Sequence, residues 1–274
     1  MNARDDNSTA MDFFHDNPVF SHEEFVTART LGKGASTHTA NNLLAHHVAA
    51  GRLVRVRRGL YATVPRGVEP AAAPVDPYLL ATRLCDDAVV AYHAALQFHG
   101  KAYSVWDRFT YLTRHRARPL EFHQARFVPV QLPVTLRALP GAGGGVLERR
   151  HAGGLVRVTT LERTLVDVLD APQHGGDWEE VWRSLESVEF FDLDAVVAYA
   201  LQLGSALTVA RVGFYLSQHR EALMVDEGHL RELRARAPAQ PRYLDGRREP
   251  GKLVQPWNLV VPARVLRREW AEVT

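Results

Sequence analysis

The sequence predicts a two-domain α+β protein, and three observations carry that prediction. At 274 residues the chain exceeds what one ordinary core organises. Its hydrophobic share of 46% is enough to fill a packed interior. The apolar period also switches repeatedly between about 3.6 and 2, so helices and strands alternate. Prolines at 65, 70, 74 and 77 crowd around Ala71-Ala72-Ala73. Such a stretch is extended and semi-rigid, which divides an N-terminal domain over 1–66 from a C-terminal domain over 78–274, with 67–77 as the linker. No apolar run approaches the roughly 18 residues of a membrane span. The early Asp5, Asp6, Asp12 and Asp16 do not suit a secretory signal. A cytoplasmic location with no membrane partner is expected. The single cysteine, Cys85, excludes an intramolecular disulfide and any cysteine-rich zinc site.

Within the first domain, Met11, Phe13 and Phe14 anchor a first helix before residue 18. Ser21-His22-Glu23-Glu24 is a capping box that opens a second helix carrying Phe25 and Val26. After a turn over Leu31 to Ala35, Ser36 is placed to cap a third helix. Ala40, Leu43, Leu44, His47 and Val48 recur there at helical spacing and form one buried stripe. Thr37, His38, Asn41, Asn42 and Ala45 make the opposite, hydrogen-bonding face. Gly51 stops the helix, and the period falls to 2. With Arg58-Gly59 at the turn, Val56 is expected opposite Tyr61 and Val54 opposite Thr63. Arg55 and Arg57 then share the other face, and Arg52 and Arg58 mark base and tip.

Helix, turn, helix and hairpin in this order predict a winged helix-turn-helix, whose third helix enters the major groove by its N-terminal end. Charge points the same way. Between Glu24 and Glu69 stand Arg29, Lys33, Arg52, Arg55, Arg57, Arg58 and Arg66 without one acid, although the chain as a whole carries only +2. Basic groups against an apolar-backed hairpin suit phosphate contact. The expected DNA-binding residues are Ser36, Thr37, His38, Asn41, Asn42, Arg52, Arg55, Arg57 and Arg58.

The second domain is expected to be mixed α/β, a modest sheet against several helices, and Asp76-Pro77 starts its first helix. Strands are expected over 88–91, 109–113, 120–123 and 127–132, with a helix from Tyr92 to Gly100 between the first two. A glycine break at 141–145 precedes a hairpin of 146–150 with 155–158, closed through Gly153-Gly154. Thr159 and Glu162 form a second capping box. In the helix they open, Leu161, Leu165, Val168 and Leu169 face the core and Arg163, Asp167 and Asp170 face outward. Further helices fall near 178–187, 193–203, 208–219 and 228–237, then a strand over 257–261 and a terminal helix from Ala263. Charge is uneven here too: 101–157 is basic and 162–194 acidic.

Chemistry has no recognisable constellation. The 13 histidines are scattered, and no H-E-x-x-H occurs. The glycine cluster lacks the following Lys-Ser/Thr of a P-loop, and no G-x-S-x-G elbow is present. Lys33, Lys101 and Lys252 lack the acidic context of a metal nuclease. The acids between Glu162 and Asp194 read as solvated helix exteriors. No enzyme, cofactor, catalytic residue or metal site is therefore expected.

Arg57-Arg58-Gly59-Leu60-Tyr61, together with Val158-Thr159-Thr160-Leu161-Glu162-Arg163-Thr164-Leu165-Val166-Asp167, resembles the AbiEi family of type IV antitoxins. Ala94-Ala95-Leu96-Gln97-Phe98-His99-Gly100, the hairpin ending Glu148-Arg149-Arg150 and Gly175-Gly176 are also similar, and the likeness spans roughly residues 18–220. The resemblance implies an N-terminal winged helix that binds inverted repeats of double-stranded DNA in its own promoter and represses the operon. It further implies a C-terminal domain that neutralises an AbiEii-like nucleotidyltransferase toxin without a stable complex, in phage defence by abortive infection. Two other readings fit the residues alone: a ligand-responsive winged-helix repressor with no toxin partner, and a DNA-processing enzyme delivered by the winged helix.

Overall fold

The computed structural model describes residues 3–33, 36–139, 143–246 and 248–270, and of residues 3–9 and 31–33 the backbone alone. The expected turn before Ser36 and the start of the glycine break lie partly outside these. Among the described residues, helices alternate with strands in three sheets, a mixed α+β composition. It divides into two compact units. One comprises Met1–Val90, Asp107–Val130 and Glu148–Val158, and the other Ala91–Trp106, Gln131–Leu147 and Thr159–Thr274. The proline-rich 67–77 segment lies in the first unit, with Ala73 buried.

The first unit begins with helix α1 (Ala3–Asp16), strand β1 (Val19–Ser21) and helix α2 (His22–Lys33). Helix α3 (Thr37–Ala49) and strands β2 (Leu53–Arg57) and β3 (Leu60–Thr63) follow. Phe14 stacks on both Phe20 and Phe25 with ring centroids 5.5 Å apart, and Ala40, Leu44 and Leu53 complete the core. The capping box of α2 closes in both directions: Glu24 N–H donates to Ser21 Oγ at 3.1 Å and Ser21 N–H to Glu24 Oε2 at 2.7 Å. Strand β1 was not expected. Three residues are too short to show a period, yet β1 makes the sheet three-stranded, in the order β1-β3-β2.

The hairpin register departs from the expected one. Leu53 lies opposite Thr63, Val54 opposite Ala62, Arg55 opposite Tyr61 and Arg57 opposite Leu60, with a bulge between Arg55 and Arg57. Val56 is the extra residue. Directly opposed residues share a face, so Leu53, Arg55, Tyr61 and Thr63 lie on one side and Val54, Arg57, Leu60 and Ala62 on the other. Leu53 on the first side and Leu60 and Ala62 on the second are all buried. Each face therefore carries buried apolar residues together with one exposed arginine, and the alternation of valine with arginine did not mark one wet face.

Helix α4 (Pro77–Arg83) starts at Asp76, whose Oδ1 accepts from the Tyr78 and Leu79 amides. The remaining strands of this unit are β4 (Val89–Val90), β5 (Arg108–Thr113), β6 (Leu120–Phe122), β7 (Ala125–Gln131), β8 (Val146–His151) and β9 (Gly154–Thr159). They form a sheet ordered β6-β7-β5-β4-β9-β8, in which β4 runs antiparallel to β5 and parallel to β9.

The second unit is mainly helical: α5 (His93–Phe98), α6 (Val134–Arg137), α7 (Leu161–Asp170), α8 (Trp178–Glu186), α9 (Leu193–Gln202), α10 (Ala206–Gln218) and α11 (Glu227–Arg234). A small sheet of β10 (Arg242–Tyr243), β11 (Gly251–Val254) and β12 (Leu259–Pro262) precedes α12 (Ala263–Arg267). Helix α7 packs against α5, α9 and α10. Glycine at 213 lets α10 approach Trp257, because a Cβ there would overlap the indole ring. The cap of α7 is Thr160, whose side chain accepts from Arg163 N–H, whereas Thr159 is the buried end of β9.

Candidate nucleic-acid interface

Helix α3 exists for two local reasons. Ser36 Oγ accepts from Thr39 N–H at 3.2 Å, a cap worth about 1 kcal/mol. Ala40, Leu44 and His47 are buried, with Leu43 and Val48 half-buried, so one stripe fixes how the helix lies. Thr37, His38, Asn41, Asn42 and Ala45 are consequently all exposed. The first turn carries no acid, which leaves the positive end of the helix dipole uncompensated.

A groove of about 650 Å³ runs between this helix and the hairpin, lined by His22, Asn41, Arg55, Arg58 and Tyr61 over a floor including Leu44 and Val48. Of the nine residues expected to read DNA, it gathers Asn41, Arg55 and Arg58. Ser36, Thr37, His38 and Asn42 are exposed on the same helix but do not line it. Arg52 lies elsewhere, in a cavity of about 690 Å³ with Met11, Phe14 and Pro70. Its Nη1 is 3.3 Å from His47 Nδ1. Arg57 donates to the Leu84 carbonyl at the end of α4. Arg29, counted in the basic window, is only 2% exposed. His22 and Tyr61 were not expected in the groove. Serving as the first residue of a capped helix, or as the strand residue opposite an arginine, leaves no trace in the hydrophobic period.

His47 holds the back of α3. Burial first, then the Arg52 and His46 charges, pushes its imidazole down from 6.5 to about 4. It is therefore neutral near pH 7, and its ring meets Phe14 edge-on at 4.8 Å.

The second unit holds several polar and charged groups inside. Arg163 and Asp167, expected on the outer face of α7, are 1% and 3% exposed. Arg163 Nε donates to Asp167 Oδ2 at 3.3 Å, Arg163 Nη1 to the Gly144 carbonyl at 2.6 Å, and the Tyr199 hydroxyl to Asp167 Oδ1 at 2.7 Å. The acid-rich helical spacing concealed a buried ion pair, because i, i+4 partners look alike whether they face water or each other. Glu180 is also buried: it accepts from His93 Nε2 and the Ser104 amide, both at 3.0 Å, and from the Ser104 and Ser184 hydroxyls. Burial raises its carboxyl, but the bonds from His93 and Ser104 outweigh this and leave it at about 2. The Trp106 indole stacks on His93 at 3.7 Å.

Asp86, Asp87 and His115 are the cluster, among the described residues, with ligand atoms close enough for a metal ion. His115 Nε2 is 3.0 Å from Asp86 Oδ1, and Thr113 and Arg114 donate to Asp87, so their bonds are already made with one another and with β5. No helix among the described residues is long and apolar enough to cross a membrane.

No protein-family model matches the chain, and no curated protein matches it in sequence. Among solved structures it is similar to the crystal structure of the RV2827C protein from Mycobacterium tuberculosis. The TM-score is 0.54 at 17% identity, covering 95% of this chain and 93% of that one. That likeness concerns the fold alone.

Proposed function

We propose that α2, α3 and the β2–β3 hairpin act as a winged helix-turn-helix that binds double-stranded DNA. Asn41 and its exposed neighbours on α3 face the bases, and Arg55 and Arg58 face phosphates. The observation that carries this reading is the groove, which sets an exposed amide beside two exposed arginines in a stretch of sequence without acids. Amides read base edges and guanidinium groups grip phosphates. With the resemblance of the Arg57–Tyr61 and Val158–Asp167 segments, the reading extends to an autorepressing type IV antitoxin. It would act at inverted repeats in its own promoter and counteract an AbiEii-like nucleotidyltransferase toxin.

Footprinting on the upstream region of its own gene, at two salt concentrations, tests the DNA reading. Protection that weakens with salt, and weakens less steeply in Arg55→Ala and Arg58→Ala, is the expected result. Affinity for no upstream sequence at low salt sinks it. Rescue of growth, by this chain, of cells expressing a neighbouring nucleotidyltransferase tests the antitoxin extension separately.

A further inference from the structure

One contact in the groove belongs to neither the core nor a helix cap. His22 opens α2, Asn41 lies in the second turn of α3, and His22 Nε2 meets Asn41 Oδ1. An amide oxygen only accepts, so the nitrogen that faces it carries the proton and donates. The amide of Asn41 is thereby oriented, its oxygen held toward α2 and its NH2 on the other branch. Asn42 is held in the opposite sense, its Nδ2 donating to His38 Nε2 at 3.1 Å one turn earlier in the helix. Two adjacent amides thus carry opposite polarities: Asn41 has both N–H donors uncommitted by this contact, and Asn42 has its oxygen.

An unrestrained asparagine favours adenine, because it can accept from N6 and donate to N7 together. Guanine presents N7 and O6, two acceptors. We propose that His22 is a specificity-determining positioning residue, which holds the oxygen of Asn41 so that its donor end meets the DNA and guanine is preferred over adenine at the base beneath it. The inference rests on the DNA-binding reading above. His22 itself need not touch a base. It acts by fixing one rotor, as a preorganised donor does in any recognition site. His22 is half-exposed, so its removal takes little from the core.

The test is selection of bound sites from a randomised duplex pool with the full-length protein and its His22→Ala, His22→Gln and Asn41→Ala variants. The wild type is expected to select guanine at one position of each half-site. His22→Ala should lower the guanine-to-adenine ratio there about tenfold while other positions keep their preference. His22→Gln, whose amide N–H also donates, should restore guanine, and Asn41→Ala should erase preference at that same position. A His22→Ala protein that keeps every preference and merely binds more weakly overturns the inference while leaving DNA binding standing. So does adenine at the Asn41-dependent position of the wild type. Absence of any salt-dependent duplex binding by the wild type overturns the functional reading and this inference with it.

Discussion

The outward face of α3 and the interior of the second unit both carry polar side chains and use them in opposite ways. On α3, Thr37, His38, Asn41 and Asn42 stand exposed. In the second unit, Asp167 accepts from both Arg163 and Tyr199, and Glu180 is surrounded by His93, Ser104 and Ser184. A charge taken out of water is tolerable only when its hydrogen bonds are made internally, so the second arrangement fixes a structure. The first leaves donors and acceptors for something outside. Polar residue type alone therefore does not mark a site; the number of internal partners does.

The largest effect expected from breaking this contrast is in α7. Asp167→Ala leaves the Arg163 guanidinium buried opposite an empty place, and stability measured by urea unfolding should fall by about 3–5 kcal/mol. Next comes the buried imidazole behind α3. Because His47 is depressed to about 4 in the folded state against 6.5 for the free side chain, the unfolded chain binds the extra proton between those values. Stability is present above pH 6.5 and lost as pH falls toward 4, by at most about 3 kcal/mol. His47→Gln should remove that part of the slope between unfolding curves at pH 7 and 4.5.

Smaller effects sharpen the outward side. Asn41→Ala should reduce discrimination between specific and random duplex by about 1–3 kcal/mol in competition binding, with affinity for random duplex little altered. Arg55→Ala and Arg58→Ala should each lower the log–log salt slope of binding by about one unit. Arg57→Ala, whose guanidinium bonds to Leu84, should leave that slope unchanged and lower the unfolding midpoint instead. Ser36→Ala should cost about 1 kcal/mol through the lost cap of α3.

Long amphipathic segments were readable in the sequence. The burial of Ala40, Leu44 and His47 in α3, and of Leu165, Val168 and Leu169 in α7, follows their spacing. What escaped was set by partners distant in sequence. Strand β1 exists because β3 pairs with it, and the hairpin faces follow from one irregular residue rather than from alternation. The Arg163–Asp167 pair, like Glu180, was assigned to water because a helical period cannot tell a solvated charge from one with a buried counterpart. In the groove Asn41, Arg55 and Arg58 were legible. His22 was not, since its place there depends on how α2 lies on α3.

The bulge at Val56 also has a consequence for how this hairpin can change over generations. In an unbroken strand, positions 55 and 57 would project alike; the inserted residue sends one guanidinium toward the groove and tethers the other to the end of α4. Gain of a single codon in β3 opposite Val56 would complete the ladder and swing both to one side, trading a tether for a second outward cation. The hairpin thus holds a switch between rigidity and reach that needs no new residue type, only a different length.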